Sequence, residues 1–299
     1  MDLRRNIFCY LMIAPALLFV SVLSIYPMLA TLRLSFLQYD LLRIGAEGTP
    51  FVGLRNFKEI FQDRRFLQAL RNTVMFCVII VGSLMFLGLL VAQLLNLDFR
   101  GRGVLRSLVL LPWVMPPVIS AAIWMWFYQT ERSPINQVLR KFGLIQRNIG
   151  FLTDATNQWG PVSVPMLAVS SVRVWNGLAF FAVMLLAGLQ SIPVELYESA
   201  QIDGAGSISR FRFVTFPMLR PVIVILVTLS TIATLGHFAV NYIMTSGGPA
   251  NLTNILGVMA YQQAFFFFRY DLGAAINSLI LLMTGTIAAF YIRATLGES

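Results

Sequence analysis

The sequence predicts an all-α integral membrane protein with six transmembrane helices and a cytoplasmic N-terminus. Composition, long apolar windows and the placement of arginine carry that expectation. Of 299 residues, 58% are hydrophobic and only 12% are charged, whereas an ordinary soluble domain carries about 25% charged residues. A helix needs roughly 20 apolar residues to cross about 30 Å of hydrocarbon. Such windows fall near 7–29, 73–95, 108–128, 164–189, 222–241 and 274–292.

The first window follows Arg4 and Arg5, as a secretory signal would. It is longer than a signal's apolar region and ends in Ser24-Ile25-Tyr26-Pro27 without a small-x-small cleavage site, so an uncleaved span is expected. Cys9 and Cys77 fall inside spans without metal-ligand spacing and read as buried thiols. Basic residues mark the cytoplasmic side of a membrane protein. Arg4 and Arg5, then Arg100, Arg102 and Arg106, then Arg210, Arg212 and Arg220 share one side when six spans start inside. The segment 33–71 opposes this with Arg33, Arg43, Arg55, Lys58, Arg64, Arg65 and Arg71, against the acids Asp40, Glu47, Glu59 and Asp63. Longer loops obey the rule less strictly, so the three short segments decide the orientation. The net charge of +9 is then a signal of topology and of membrane lipid headgroups, not of nucleic acid.

Several chemistries are disfavoured by the residue inventory. The lysines Lys58 and Lys141 follow Phe57 and Arg140, so there is no Gly-Lys-Ser/Thr run to cradle phosphates. His237 is the single histidine, which excludes zinc motifs that need two, and it is expected within an apolar helix. All thirteen carboxylates fall in loops or at span ends. Ion-coupled transporters usually keep an acid within the membrane. An ion-coupled secondary transporter or channel is therefore the alternative, and an energy source outside this chain is the main expectation.

The segment 190–221 carries the most information. Pro193 suits the first position of a short helix ending near Ile202. Gly204 and Gly206 suit backbone angles that other residues avoid, and Ser207 is placed to cap a second short helix carrying Arg210, Phe211 and Arg212. Pro217 and Pro221 mark re-entry into the membrane. A surface helix-turn-helix is expected, with Ser199, Ala200, Gly204 and Ala205 leaving room for a partner.

The run Glu198-Ser199-Ala200, Asp203-Gly204-Ala205-Gly206 and Phe216-Pro217 resembles the EAA loop of ATP-binding-cassette importer permeases. Serine at the second position and phenylalanine before the proline depart from the family pattern. The resemblance extends through Ala14-Pro15-Ala16, Phe51-Val52-Gly53-Leu54-Arg55-Asn56-Phe57, Asn72-Thr73, Leu111-Pro112, Pro116-Pro117, Ala187-Gly188-Leu189-Gln190-Ser191-Ile192-Pro193 and Gly247-Gly248-Pro249. In that order the motifs look like the first permease of the carbohydrate-uptake branch, of the maltose and glycerol-3-phosphate type, a binding-protein-dependent transport system inner membrane component.

The resemblance implies a type I ABC importer permease fold in a bacterial inner membrane. It divides the chain into 1–72, a first helix with an extracytoplasmic segment; 73–292, a permease core of five helices with coupling loop 190–221; and 293–299, a cytoplasmic tail. It implies a second homologous permease, two ATPase subunits that hold the ATP and Mg, and an external solute-binding protein. This chain then binds no cofactor or metal of its own and catalyses no reaction. Glu198 would anchor the coupling helix, Asp203 and Gly204 would set its turn, and Phe211 and Pro217 would complete the surface.

A saccharide site needs hydrogen-bonding groups and aromatic faces near mid-membrane. Trp175, Asn176, His237, Asn241, Tyr242, Asn277 and Ser278 are the candidates. Tryptophan and tyrosine equally anchor spans at interfaces, and asparagine or histidine equally joins helices. Arg173 has two readings. A span starting at Val164 places it well inside the membrane, where it would suit an anionic sugar; a span starting nearer Val174, the favoured reading, lets it snorkel to the outer interface.

Overall fold

The computed structural model describes residues 3–39, 49–156, 158–160 and 162–296. Asp40, Arg43, Glu47 and the end of the expected tail lie outside the described residues, as does the Cys9 side chain. The described chain divides into two compact units, Met1–Phe66 with Met259–Leu282, and Leu67–Val258 with Met283–Ser299. The expected boundary at residue 72 falls inside a single helix.

In the first unit, α1 (Leu3–Val20) continues through a π turn (Ser21–Ile25) into α2 (Tyr26–Leu34). The stop expected at Tyr26-Pro27 does not occur. The wider turn accommodates a proline that cannot donate an amide hydrogen bond, so the apolar helix continues past residue 29 to Leu34. The run Phe51 to Phe57 then folds back on the end of α2. Gly53 takes φ +57°, and Asn56 of α3 (Arg55–Gln62) donates its amide to the carbonyls of Ser35 (2.9 Å) and Leu37 (2.8 Å). Arg269 forms a fork to Glu59 (3.1 and 3.3 Å) and to the fully buried Asp271 (3.0 and 3.3 Å). Burial acts to lower the Arg269 pKa, and the bonds from Asp271 and Glu59 more than offset this, so its pKa is raised.

The second unit is built on α4 (Arg64–Asn96), α5 (Arg102–Val114), α6 (Pro117–Phe127) and α8 (Val164–Gln190), with α7 (Pro134–Lys141) in the loop between α6 and α8. That loop also carries a two-stranded antiparallel hairpin pairing Gln158 with Ser163 and Trp159 with Val162. After α8 come α9 (Val194–Ile202), α10 (Ser207–Arg210), a π turn (Phe211–Thr215), α11 (Phe216–Leu235) and α12 (Ala239–Thr245). Helices α13 (Leu256–Phe265) and α14 (Tyr270–Leu296) complete the chain. Asn72 and Thr73 hold the Gly247-Gly248-Pro249 loop. Asn72 donates to the carbonyls of Asn251 (2.8 Å) and Asn254 (2.9 Å), and the Thr73 hydroxyl accepts from the amide of Leu256 (2.9 Å).

Among the described residues, five helices are individually long and apolar enough to cross a membrane. The window expected as one helix over 108–128 is a pair of helices: Arg102–Val114 and Pro117–Phe127 meet at a bend of 100°. Proline chemistry causes the break. Residues before proline avoid the helical region, and Met115 (ψ 129°) and Pro116 (ψ 138°) are extended. Pro116 has no amide hydrogen for the Pro112 carbonyl four residues back. The buried Asn176 of α8 supplies it, donating Nδ2 to Pro112 O (2.9 Å) and to Ser120 Oγ (2.9 Å) on the other side of the break.

The fifth span also differs from expectation. The helix runs Ser207–Leu235 as one apolar element, so the second short helix of the loop is the first turn of the span. Gly236 ends it. His237 therefore lies in a break between α11 and α12, not within a helix.

Small residues set the close helix packing. A Cβ at Gly88 would come within 2.8 Å of Phe181 Cβ, and one at Gly188 within 2.7 Å of Leu219 Cδ2. Replacing Gly88 with valine overpacks α4 against α8 and is expected to cost about 1–3 kcal/mol. Asn176→Leu removes one bond on each side of the break, leaving the Pro112 carbonyl with only the Met115 amide (3.3 Å) and the Ser120 hydroxyl with only the Pro116 carbonyl (3.3 Å), at about 0.5–1.5 kcal/mol for each bond lost. Thermal unfolding of the purified detergent-solubilised protein should show both losses, and an unchanged midpoint for Asn176→Leu would mean that the break is held elsewhere.

Candidate functional site

Two features answer to the sequence candidates: the turn after α8 and a cavity between α8 and its neighbours. Pro193 serves as N-cap of α9, one place before the expected first helical position. At the other end, Ala205 N donates to Ala200 O (2.9 Å) and Gly204 N to Gln201 O (3.1 Å). These are the two bonds of a Schellman motif with Gly204 in the left-handed position, at φ +78°. Asp203 is the C-cap. The Asp-Gly-Ala run is therefore a helix stop whose geometry favours glycine at its second place. Gly206 has an ordinary φ of −68° and is itself the N-cap of α10, and Ser207 makes no capping bond. Both points correct the sequence reading.

The surface of this turn is polar in backbone and apolar in side chains. Ile202 is 87% exposed and Ile208 85%, with Val194, Phe213 and Phe216 also exposed. Glu198, Ser199, Asp203, Gly204 and Pro217 are exposed, whereas Ala200, Ala205 and Phe211 are half-buried. The Glu198 carboxylate makes no hydrogen bond or ion pair among the described residues, so it does not anchor α9 within this chain. That task falls to Tyr197, whose hydroxyl lies 3.0 Å from Thr215 Oγ1 in the π turn. Sequence reading missed this pair, although a tyrosine facing back from a short helix marks such a tie.

The cavity has a volume of about 350 Å³ and is lined by Trp113 and Met115 of the broken span, by Arg173, Asn176, Gly177 and Phe180 of α8, and by Leu229 and Ser230 of α11, among others. Helix α8 starts at Val164, where the Ser163 hydroxyl accepts from the amide of Met166 (3.2 Å). Arg173 thus sits about 14 Å into the helix. It lines the cavity and is half-buried. The Asn176 Oδ1 atom is buried with no partner. Trp113 and Phe180 lie with ring centroids 6.1 Å apart.

Arg173 and Asn176 are the two sequence candidates that the cavity brings together. Trp175 instead meets Trp124 edge-on at 5.8 Å. His237 is outside the lining, with a buried and unpartnered Nε2. Asn241 is buried and donates to Thr253 O (3.4 Å), and Tyr242 packs on Phe238 at 6.3 Å. Asn277 and Ser278 belong to the other compact unit. Asn277 is exposed, and the Ser278 hydroxyl is spent on the Ala274 carbonyl (2.9 Å). Sequence reasoning missed Trp113, Phe180 and Ser230. Trp113 could have been found from its place between Pro112 and the Pro116-Pro117 pair.

Comparison with known proteins agrees with this architecture. Residues 84–297 match the family described as binding-protein-dependent transport system inner membrane component. The chain is 32% identical over 98% of its length to the sulfoquinovosyl glycerol transport system permease protein SmoG of Agrobacterium fabrum, covering 92% of that protein. It is 35% identical over 95% of its length to the trehalose/maltose transport system permease protein MalF of Thermococcus litoralis, covering 92% of it. The fold matches a chain of a bacterial alginate ABC transporter in complex with a periplasmic protein, with TM-score 0.78 at 23% identity over 97% of this chain and 94% of that one. An all-α membrane architecture with a broken third span, the Schellman turn at Gly204 and a family match over most of its length make this chain a member of the binding-protein-dependent transport system inner membrane component family, the permease subunits of ABC importers.

Proposed function

We propose that this permease carries a saccharide or saccharide derivative through the cavity lined by Arg173 and Asn176, inward across a bacterial inner membrane with its N-terminus in the cytoplasm. It works beside a second, related permease, receives cargo from an extracytoplasmic solute-binding protein, and takes its energy from two ATPase subunits that hold the ATP and Mg. The permeases SmoG and MalF, named for sulfoquinovosyl glycerol and for trehalose/maltose, support the cargo class.

One observation carries the mechanism. The exposed turn at 190–206 joins the two helices α8 and α11 that line the cavity, one on each side of it. The side chains of Ile202 and Ile208 offer an apolar contact to an ATPase subunit, Glu198 offers an unpaired carboxylate, and Ser199, Ala200 and Ala205 permit close approach. When the ATPases close, the push enters α9. It passes through the Tyr197–Thr215 bond into α10 and α11, which form one helical element, and reaches Ser230 about 22 Å further along. The same push reaches α8 through Gln190. Both cavity walls are driven from one loop, which is what alternation between inward and outward openings requires.

Two substitutions test the loop. Gly204→Val puts a branched side chain in the left-handed region at about 1–2 kcal/mol and unwinds the stop of α9. In proteoliposomes holding the complete importer, ATP-driven uptake should fall at least about tenfold while the subunit stays in the complex; coupled transport at the normal rate would sink the assignment. Ile202→Asp should lower the amount of ATPase co-purifying with the permeases, because it sets a charge in an apolar contact. Retention of the ATPase at normal yield would place the contact elsewhere.

A further inference from the structure

We infer that the cargo is an acidic saccharide whose anionic group pairs with Arg173, while Asn176 takes a hydroxyl of the same molecule. This rests on the cavity being the transport site. The observation behind it is an imbalance of charge. Arg173 is the one charged residue lining the cavity, and its guanidinium makes no hydrogen bond or ion pair among the described residues. An arginine well inside an apolar span is costly and is normally paired. Three other arginines show how this chain holds the group with carboxylates: Arg269 pairs with Glu59 and Asp271, Arg65 with Asp63, and Arg102 with Asp98. At Arg173 the matching anion is missing, and it is missing at the wall of a space that can hold one.

The remaining lining fits a sugar acid. Asn176 is 8% exposed, and its Nδ2 is fixed by two acceptors, which leaves Oδ1 as a buried acceptor without a donor. A sugar hydroxyl is a donor of the right kind, and the acceptor Pro112 O dictates which way the amide points. The rings of Trp113 and Phe180 supply flat apolar walls for the carbon face of a pyranose. The cavity volume of about 350 Å³ lies within the range of small-molecule sites. The planar fork of arginine binds sulfonate, phosphate and carboxylate alike through two parallel bonds, so these three acids share the recognition chemistry.

The test uses the complete solubilised importer and a matched set of glucosides differing only at carbon 6: a hydroxyl, a sulfonate, a phosphate and a carboxylate. Equilibrium binding is measured calorimetrically, and ATP-driven uptake of the same four is followed in proteoliposomes. At least one acid should bind at least about tenfold more tightly than the neutral glucoside. Arg173→Gln should abolish that difference, and Arg173→Lys should keep part of it. Which acid is preferred separates the three sources of charge. If the neutral glucoside binds and accumulates as well as any acid, or if Arg173→Gln weakens all four equally, the pairing is overturned and the import function stands, with Arg173 neutralised by a neighbouring subunit. If none of the four binds, the inference falls; if in addition none is driven inward by ATP, the saccharide reading falls with it. Size-exclusion elution of the Arg173→Gln complex at the normal position separates loss of binding from loss of assembly.

Discussion

A peptide carbonyl buried in an apolar span must find a donor, because the bilayer core supplies none. At Pro112 the regular helical donor is missing, since the residue four places on is Pro116, and only the Met115 amide reaches the carbonyl along the chain, at 3.3 Å. The Asn176 side chain adds a second donor and bonds Ser120 across the break at the same time. The sharp bend is pinned from both sides by this one amide. The cavity depends on the bend, because Trp113, Met115 and Pro117 reach its wall only where the span turns. A residue that first reads as a ligand group is thus half structural: its nitrogen holds the fold and its oxygen remains free.

Around that junction, small residues let the helices approach. Gly88 faces Phe181, Gly177 faces Leu84, and Gly188 faces Leu219 and Val222. Such contacts make α8 a shared wall for α4 and α11. A shared wall transmits displacement, because close-packed side chains cannot absorb it. The loop at 190–206 therefore joins a stiff assembly, and it is itself held by the Schellman stop at Gly204 and the Tyr197–Thr215 bond.

Charge is distributed with the same economy. Within the first unit, Arg269 is held by two carboxylates, and Asp271 is further satisfied by the Leu272 amide at 2.9 Å. Asp63 pairs with Arg65 beside it at 3.0 Å. Burial acts to raise the Asp63 pKa, and the Arg65 bonds outweigh it, so the carboxyl is held below its usual value. Arg173, at the cavity wall, makes no such pair among the described residues.

The sequence by itself determined the membrane class, the approximate position of the apolar spans and the exposed loop at 190–206. These follow from local quantities: apolar length, proline and glycine placement, and the order of short motifs. The helix at Val194–Ile202 and the left-handed turn at Gly204 are legible for that reason. The Pro116-Pro117 pair was equally visible, yet its consequence was not, because a proline in a span either kinks it or breaks it according to what sits opposite. Asn176, 60 positions from Pro116, decides the case. The same holds for Arg173. Its depth depends on a helix start set by the Ser163 cap, and its lack of a partner depends on which side chains of α5, α6 and α11 are brought to it. Tertiary packing alone settles such pairings, since a hydrogen bond or an unpaired charge is a relation between residues that the linear order leaves far apart.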